Sequence, residues 1–165
     1  MPTTYEPIAT FTAATATGSV SFSNIPNTYT DLLLVLNGSL RDSGDNLQLR
    51  FNGDTSNLYS QTEVSSNGST SASQRTTGVR LYVPFIYQFV QTVPFLATLN
   101  IPNYAGSTLK TALVSTSNDA NGSGAVARGV LLYRSTSAIT SLELTAYSGI
   151  YNAGTTATLY GIKNA

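Results

Sequence analysis

From Leu47 to Phe51 apolar and polar residues alternate strictly, with Leu47, Leu49 and Phe51 on one side and Gln48 and Arg50 on the other. A period of two predicts a strand that turns one face to a core. Ala97, Leu99 and Ile101 repeat the pattern, with Thr98 and Asn100 opposite them. Short β-branched and aromatic runs recur at 8–12, 19–22, 58–64, 79–83, 109–115, 126–133, 139–146 and 156–162. Clusters of Asn, Gly, Ser and Pro separate them and act as turn signals. Asp31 to Asn37 differs: its continuous apolar run, closed by Asn-Gly, predicts a central strand buried on both faces, with a helical piece as the alternative that periodicity leaves open. No window carries apolar residues at i, i+3, i+4 and i+7 over three capped turns, so no helix is predicted. Serine and threonine dominate 65–77, which reads as an exposed loop. About ten strands with turns between them predict an all-β fold, an antiparallel β-sandwich of jelly-roll type.

Local chemistry refines this outline. Asn52-Gly53-Asp54 follows a strand, and Asn-Gly supplies the positive-φ residues of a tight hairpin turn. Asp54 then has backbone amides to cap. No linker or repeat period divides the chain, so residues 1–165 are read as a single β-sandwich domain. Pro2 and Pro7 predict an extended N-terminal arm over residues 1–7, laid across a neighbouring subunit.

Composition narrows the function classes. The chain has no histidine, cysteine or tryptophan, and 44 of its 165 residues are serine or threonine. Without histidine the usual proton carrier near neutral pH is missing. Without histidine and cysteine most zinc and transition-metal sites are missing too. No cofactor and no enzymatic activity are expected. Charged residues make up 10% of the chain, against about 25% in an average soluble domain. Eight Lys/Arg balance eight Asp/Glu, and the cations are scattered, so no basic face for nucleic acid is predicted. The apolar stretch from Val79 to Ile101 is broken by Arg80, Gln88, Gln91, Pro84 and Pro94, which argues against a membrane span. The first residues lack a basic region followed by an apolar run, so synthesis in a cytoplasm is expected.

Several residues invite a chemical reading. Asp42, Asp45 and Asp54 could offer oxygen ligands to calcium, but the spacing is not that of an EF-hand and turn stabilisation explains them better. A glycosidase needs two carboxylates set across a cleft, and eight scattered acids do not predict one. Ten tyrosines permit glycan contact, with Tyr59, Tyr104, Tyr147 and Tyr151 as candidates near turns. Ordinary core or cross-strand packing explains most of them better. The segment from Leu81 to Phe95 is the most apolar, and Pro84 and Pro94 interrupt any central strand there. Tyr82, Phe85, Ile86, Tyr87, Phe89, Val90 and Phe95 are therefore expected to form an interface with other copies of the chain or with another protein.

A resemblance gives this outline a biological setting. The opening Met-Pro-Thr-Thr-Tyr-Glu-Pro-Ile-Ala at 1–9 carries it, as does Val-Ser-Phe-Ser-Asn-Ile-Pro-Asn-Thr-Tyr-Thr-Asp-Leu at 20–32. Leu-Arg-Phe-Asn-Gly-Asp at 49–54, Tyr-Ser at 59–60 and Leu-Tyr-Gly-Ile-Lys at 159–163 complete it. With these landmarks the chain resembles a set of small virion structural proteins of tailed bacteriophages. The resemblance implies a decoration or cement subunit on the outer head surface, a homotrimer bound to the major capsid protein. Its alternative is a tail-fibre or head-knob module that recognises host cell-surface glycans. The sequence departs from the family pattern at 81–95, where relatives are more polar.

Overall fold

The computed structural model describes residues 4–41, 47–83, 93–146 and 149–163. Twelve strands make up the described fold: β1 (Tyr5–Thr12), β2 (Ser19–Phe22), β3 (Asp31–Gly38), β4 (Leu47–Phe51), β5 (Tyr59–Ser66) and β6 (Ser71–Gly78). They continue as β7 (Leu81–Tyr82), β8 (Phe95–Pro102), β9 (Lys110–Asp119), β10 (Gly124–Tyr133), β11 (Leu142–Ala146) and β12 (Thr156–Ile162). Two antiparallel sheets form. The long one has eight strands in the order β1-β12-β3-β8-β9-β10-β5-β6, and the short one runs β2-β11-β4-β7. No helix occurs among the described residues, so the predicted all-β sandwich is the observed architecture.

The core lies between the sheets. Leu47, Leu49 and Phe51 of β4 face Leu32, Leu34 and Leu36 of β3 and Phe95, Ala97, Leu99 and Ile101 of β8 within one apolar cluster. Burying each such leucine or phenylalanine contributes about 1.5–3 kcal/mol. β3 was expected to be buried on both faces. It alternates instead, because Leu33 and Val35 point to the outer side of the sheet and are only half-buried. Residues 71–77, read as a loop, belong to β6. This edge strand is exposed on both faces, so no apolar alternation marked it. Tyr5, Glu6 and Pro7, assigned to an arm, begin β1 and pair with Ile162, Gly161 and Tyr160.

The inward face of β5 changes character along the strand. Tyr59 is apolar core, while Gln61 and Glu63 are buried polar groups. They satisfy one another. Gln61 donates to Glu63 Oε2 at 2.8 Å, Gln74 donates to Oε1, and Tyr82 N–H donates to Gln61 Oε1 at 2.7 Å. Burial pushes the Glu63 carboxyl above the usual carboxylate range.

The Asn52-Gly53-Asp54 turn forms with the expected backbone, at φ of 55° and 63° for Asn52 and Gly53. It does not make a hairpin. β4 pairs with β11 and β7 in the short sheet, while β5 lies in the long one, so the turn carries the chain from sheet to sheet. Asp54 Oδ1 accepts from Ser56 N–H at 2.8 Å, and Oδ2 accepts from Tyr133 Oη–H at 2.8 Å. The Ser56 bonds, followed by the Tyr133 bond, hold the Asp54 carboxyl below its ordinary pKa. A depressed carboxylate stabilises the fold above its unfolded pKa, and that contribution is lost as pH falls through the folded value. Glu63 acts in the opposite sense, because protonation relieves its burial. The stability lost between pH 6 and pH 3 should therefore be smaller in Asp54→Asn than in the parent protein. Urea unfolding at the two pH values measures this, and equal losses in both proteins would refute the assignment.

At the same end of the strands, beside β1 and β12, Tyr29 lies over Gly161, where a Cβ would run into the ring. Tyr29 Oη–H donates to Glu6 Oε2 at 3.2 Å, and Lys163 Nζ bonds the same carboxylate at 3.1 Å. No side chain larger than hydrogen fits at 161 while the ring keeps this position.

Candidate interaction surface

The outward face of the long sheet carries the most distinctive exposed chemistry. Strand register aligns its residues in rows. Leu96, Ser117, Val126, Ser66 and Ser71 form one row across β8, β9, β10, β5 and β6. Thr98, Ser115, Arg128, Val64 and Ser73 form the next, followed by Asn100, Leu113, Val130, Thr62 and Arg75. Val64, Leu96, Leu113, Val126 and Val130 are 43–60% exposed on this one face. Large apolar side chains on soluble surfaces are ordinarily scattered, and a contiguous set marks a contact surface.

The face is concave. A hollow of about 780 Å³ is centred on Val126 and Arg128, with Leu96 on one side and Ser71 and Ser73 on the other. A second hollow of about 280 Å³ adjoins it through Val64, Ser115 and Arg128 and reaches Leu113 and Val130. A third, of about 350 Å³, shares Ser66 and Val126 and ends at Asp119 and Gly122. Together they form a groove along the strand direction. From Leu113 to Asp119 it extends about 20 Å at about 3.3 Å per residue. Serine and threonine hydroxyls can both donate and accept there. Arg128 is exposed near the middle and has no hydrogen-bond or ion-pair partner among the described residues.

This surface can bind but offers little for bond-making chemistry. The 780 Å³ hollow is lined by no carboxylate, and among the described residues no three of His, Cys, Asp and Glu gather as metal ligands. Asp54, one of the calcium candidates, is engaged by Ser56 and Tyr133, while Asp42 and Asp45 lie outside the described residues.

The expected glycan contacts need correction. Tyr59, Tyr104 and Tyr151 are each 0% exposed and belong to the core. Tyr59 stacks on Tyr133 at 4.8 Å between ring centroids, and its hydroxyl donates to the Asp54 carbonyl at 3.2 Å. Burial pushes the Tyr59 phenol up to about 12. Tyr104 Oη–H donates to the Pro26 carbonyl. These rings are spent on packing because sheet crossings need large side chains with a polar end, so none can stack on a sugar. Tyr147 lies outside the described residues.

The expected interface residues divide similarly. Phe95 is 2% exposed and faces the core as the first residue of β8, which corrects its assignment to an interface. Tyr82 is half-buried on β7. Phe85, Ile86, Tyr87, Phe89 and Val90 lie outside the described residues. The groove residues were missed because they come from five strands and meet only through strand register. A signal was present: β9 and β10 carry apolar residues on both faces, Leu113 against Ala112 and Val114, and Val126 and Val130 against Ala127 and Leu131. Comparison with protein-family models, curated proteins and solved structures returns no match.

Proposed function

We propose that this protein is a structural subunit of a tailed-phage virion, a decoration or cement protein that adheres to the major capsid protein on the outer head surface. The observation that carries the reading is the exposed apolar and hydroxyl-rich groove on the long sheet. Such a face suits passive adhesion, in which apolar contacts supply affinity and hydroxyls satisfy partner backbone groups. The strand order lends support. β1 pairs β12, β2 pairs β11, β3 pairs β8 and β4 pairs β7, a nested wrap in two four-stranded layers. We read this as a jelly roll, an architecture found in viral capsid proteins, with β9, β10, β5 and β6 extending one layer. The subunit would act as a homotrimer, as the resemblance to virion proteins implies.

The glycan-binding alternative loses its main support with the burial of Tyr59, Tyr104 and Tyr151. Gold-labelled antibody against this protein, imaged on intact virions, tests the reading. Label spread over the head is the expected result. Label confined to the tail tip or fibres, or absent from particles, would overturn it.

A further inference from the structure

We infer that the groove seats an extended segment of a different polypeptide, apolar over about six residues and bearing one carboxylate that pairs with Arg128. This deepens the assembly reading by naming the chemistry of the partner. Length and shape come first. The groove runs parallel to the strands for about 20 Å, the span of about six extended residues. Val64, Leu96 and Val126 give it apolar contacts, with Leu113 and Val130 at one end. Between them Ser66, Ser71, Ser73, Ser115 and Ser117 line the central hollow. An extended chain leaves its backbone N–H and C=O groups open, and hydroxyls can serve both. A helix satisfies those groups internally and has no use for such a lining.

Charge selects the partner further. Arg128 stands in the middle of the groove without a partner among the described residues, and the other charge in the three aligned rows is Arg75. The middle of the groove is thus cationic, while Asp119 stands at its far end. A guanidinium is best met by a carboxylate in a two-point hydrogen-bonded pair. A second copy of this chain fits poorly, since facing grooves would set concave against concave and Arg128 toward Arg128. A neutral glycan would find no aromatic platform in the lining and would leave Arg128 unused.

The test places a photo-crosslinking benzophenone amino acid at Val126, in cells that produce the protein and in particles purified from them. The expected crosslink falls on one short apolar stretch of another protein, with an Asp or Glu within three residues. Arg128→Glu should reduce that crosslink at least tenfold, and reversing the partner's carboxylate to Arg should restore it. A synthetic ten-residue peptide of the stretch should bind, and at least tenfold more weakly with its acid changed to the amide. Crosslinks to a second copy, to lipid or sugar, or to nothing would overturn the inference. So would an Arg128→Glu protein that crosslinks as the parent does. Failure of the virion reading is separable. An acidic-segment crosslink in cells whose particles lack this protein would leave the groove assigned and remove the assembly role. Full incorporation of Arg128→Glu and Val126→Ser proteins into particles would do the reverse.

Discussion

Replacing Asn52 with alanine should cost about 3 kcal/mol of folding stability, which lowers the unfolding midpoint by about 9 °C in a chain of this size. Asn52 joins the sheet-crossing turn to the loop before β11. Its Nδ2 donates to the Ala138 carbonyl at 2.8 Å, and its Oδ1 accepts from Thr140 N–H at 2.8 Å and Ser141 N–H at 3.2 Å. Each bond contributes about 0.5–1.5 kcal/mol net. The backbone adds a separate term, because φ at 52 is 55° and alanine tolerates that conformation less well than asparagine. Asn52→Gly separates the two, since it loses the bonds and keeps the backbone freedom. Glycine should therefore recover about 1 kcal/mol relative to alanine. Urea unfolding of the three proteins decides it. An alanine variant within 1 kcal/mol of the parent would show that the loop holds its place without Asn52.

Lys110→Met should cost about 3 kcal/mol, because three hydrogen bonds from a charged donor are lost at a partly buried site. Lys110 is 1% exposed, and its ammonium donates to three carbonyls. These are Gly106 at 2.6 Å, Thr108 at 2.5 Å and Thr136 at 3.2 Å. Methionine fills a similar volume but takes the shared donor from all three partly buried acceptors. Desolvation holds the Lys110 pKa below its ordinary value. The ammonium has three protons and three acceptors, so its donors are fully used. Differential scanning calorimetry on Lys110→Met would read a midpoint shift of about 10 °C. A shift under 3 °C would mean that water replaces the ammonium. Thr136, Ala138 and Thr140 belong to one loop, so the Asn52 and Lys110 effects should fall short of additive in the double variant.

The strands were legible wherever one face met the core. Thr156–Ile162 was read with the bounds β12 has, and Leu47, Leu49 and Phe51 point inward as their alternation required. β6 was not legible, because Ser71–Gly78 contains no apolar face to alternate. The hairpin at Asn52 was misread for a different reason. Local turn chemistry fixes φ, but which sheet receives the next strand depends on residues far along the chain. The same limit hid the groove. Leu96, Leu113, Val126 and Val64 are neighbours only through the register of four strands. The landmarks that carry the virion resemblance do converge. Glu6, Tyr29, Gly161 and Lys163 meet in one contact set, and Phe51, Asp54 and Tyr59 meet in another.

The nested pairing also dictates the order of events at the ribosome. Tyr5 pairs with Ile162, and β2 needs β11, so the outermost partners are the last strands made. Contacts of such long sequence separation slow folding. At about 5–20 residues per second, β1 to β4 wait several seconds with their core faces unmatched. Among the described strands, β5 with β6 and the meander of β8, β9 and β10 find neighbours early. The emerging chain is thus a client for holding chaperones until β12 docks, and high expression at low chaperone supply should send it into inclusion bodies rather than into slowly maturing soluble protein.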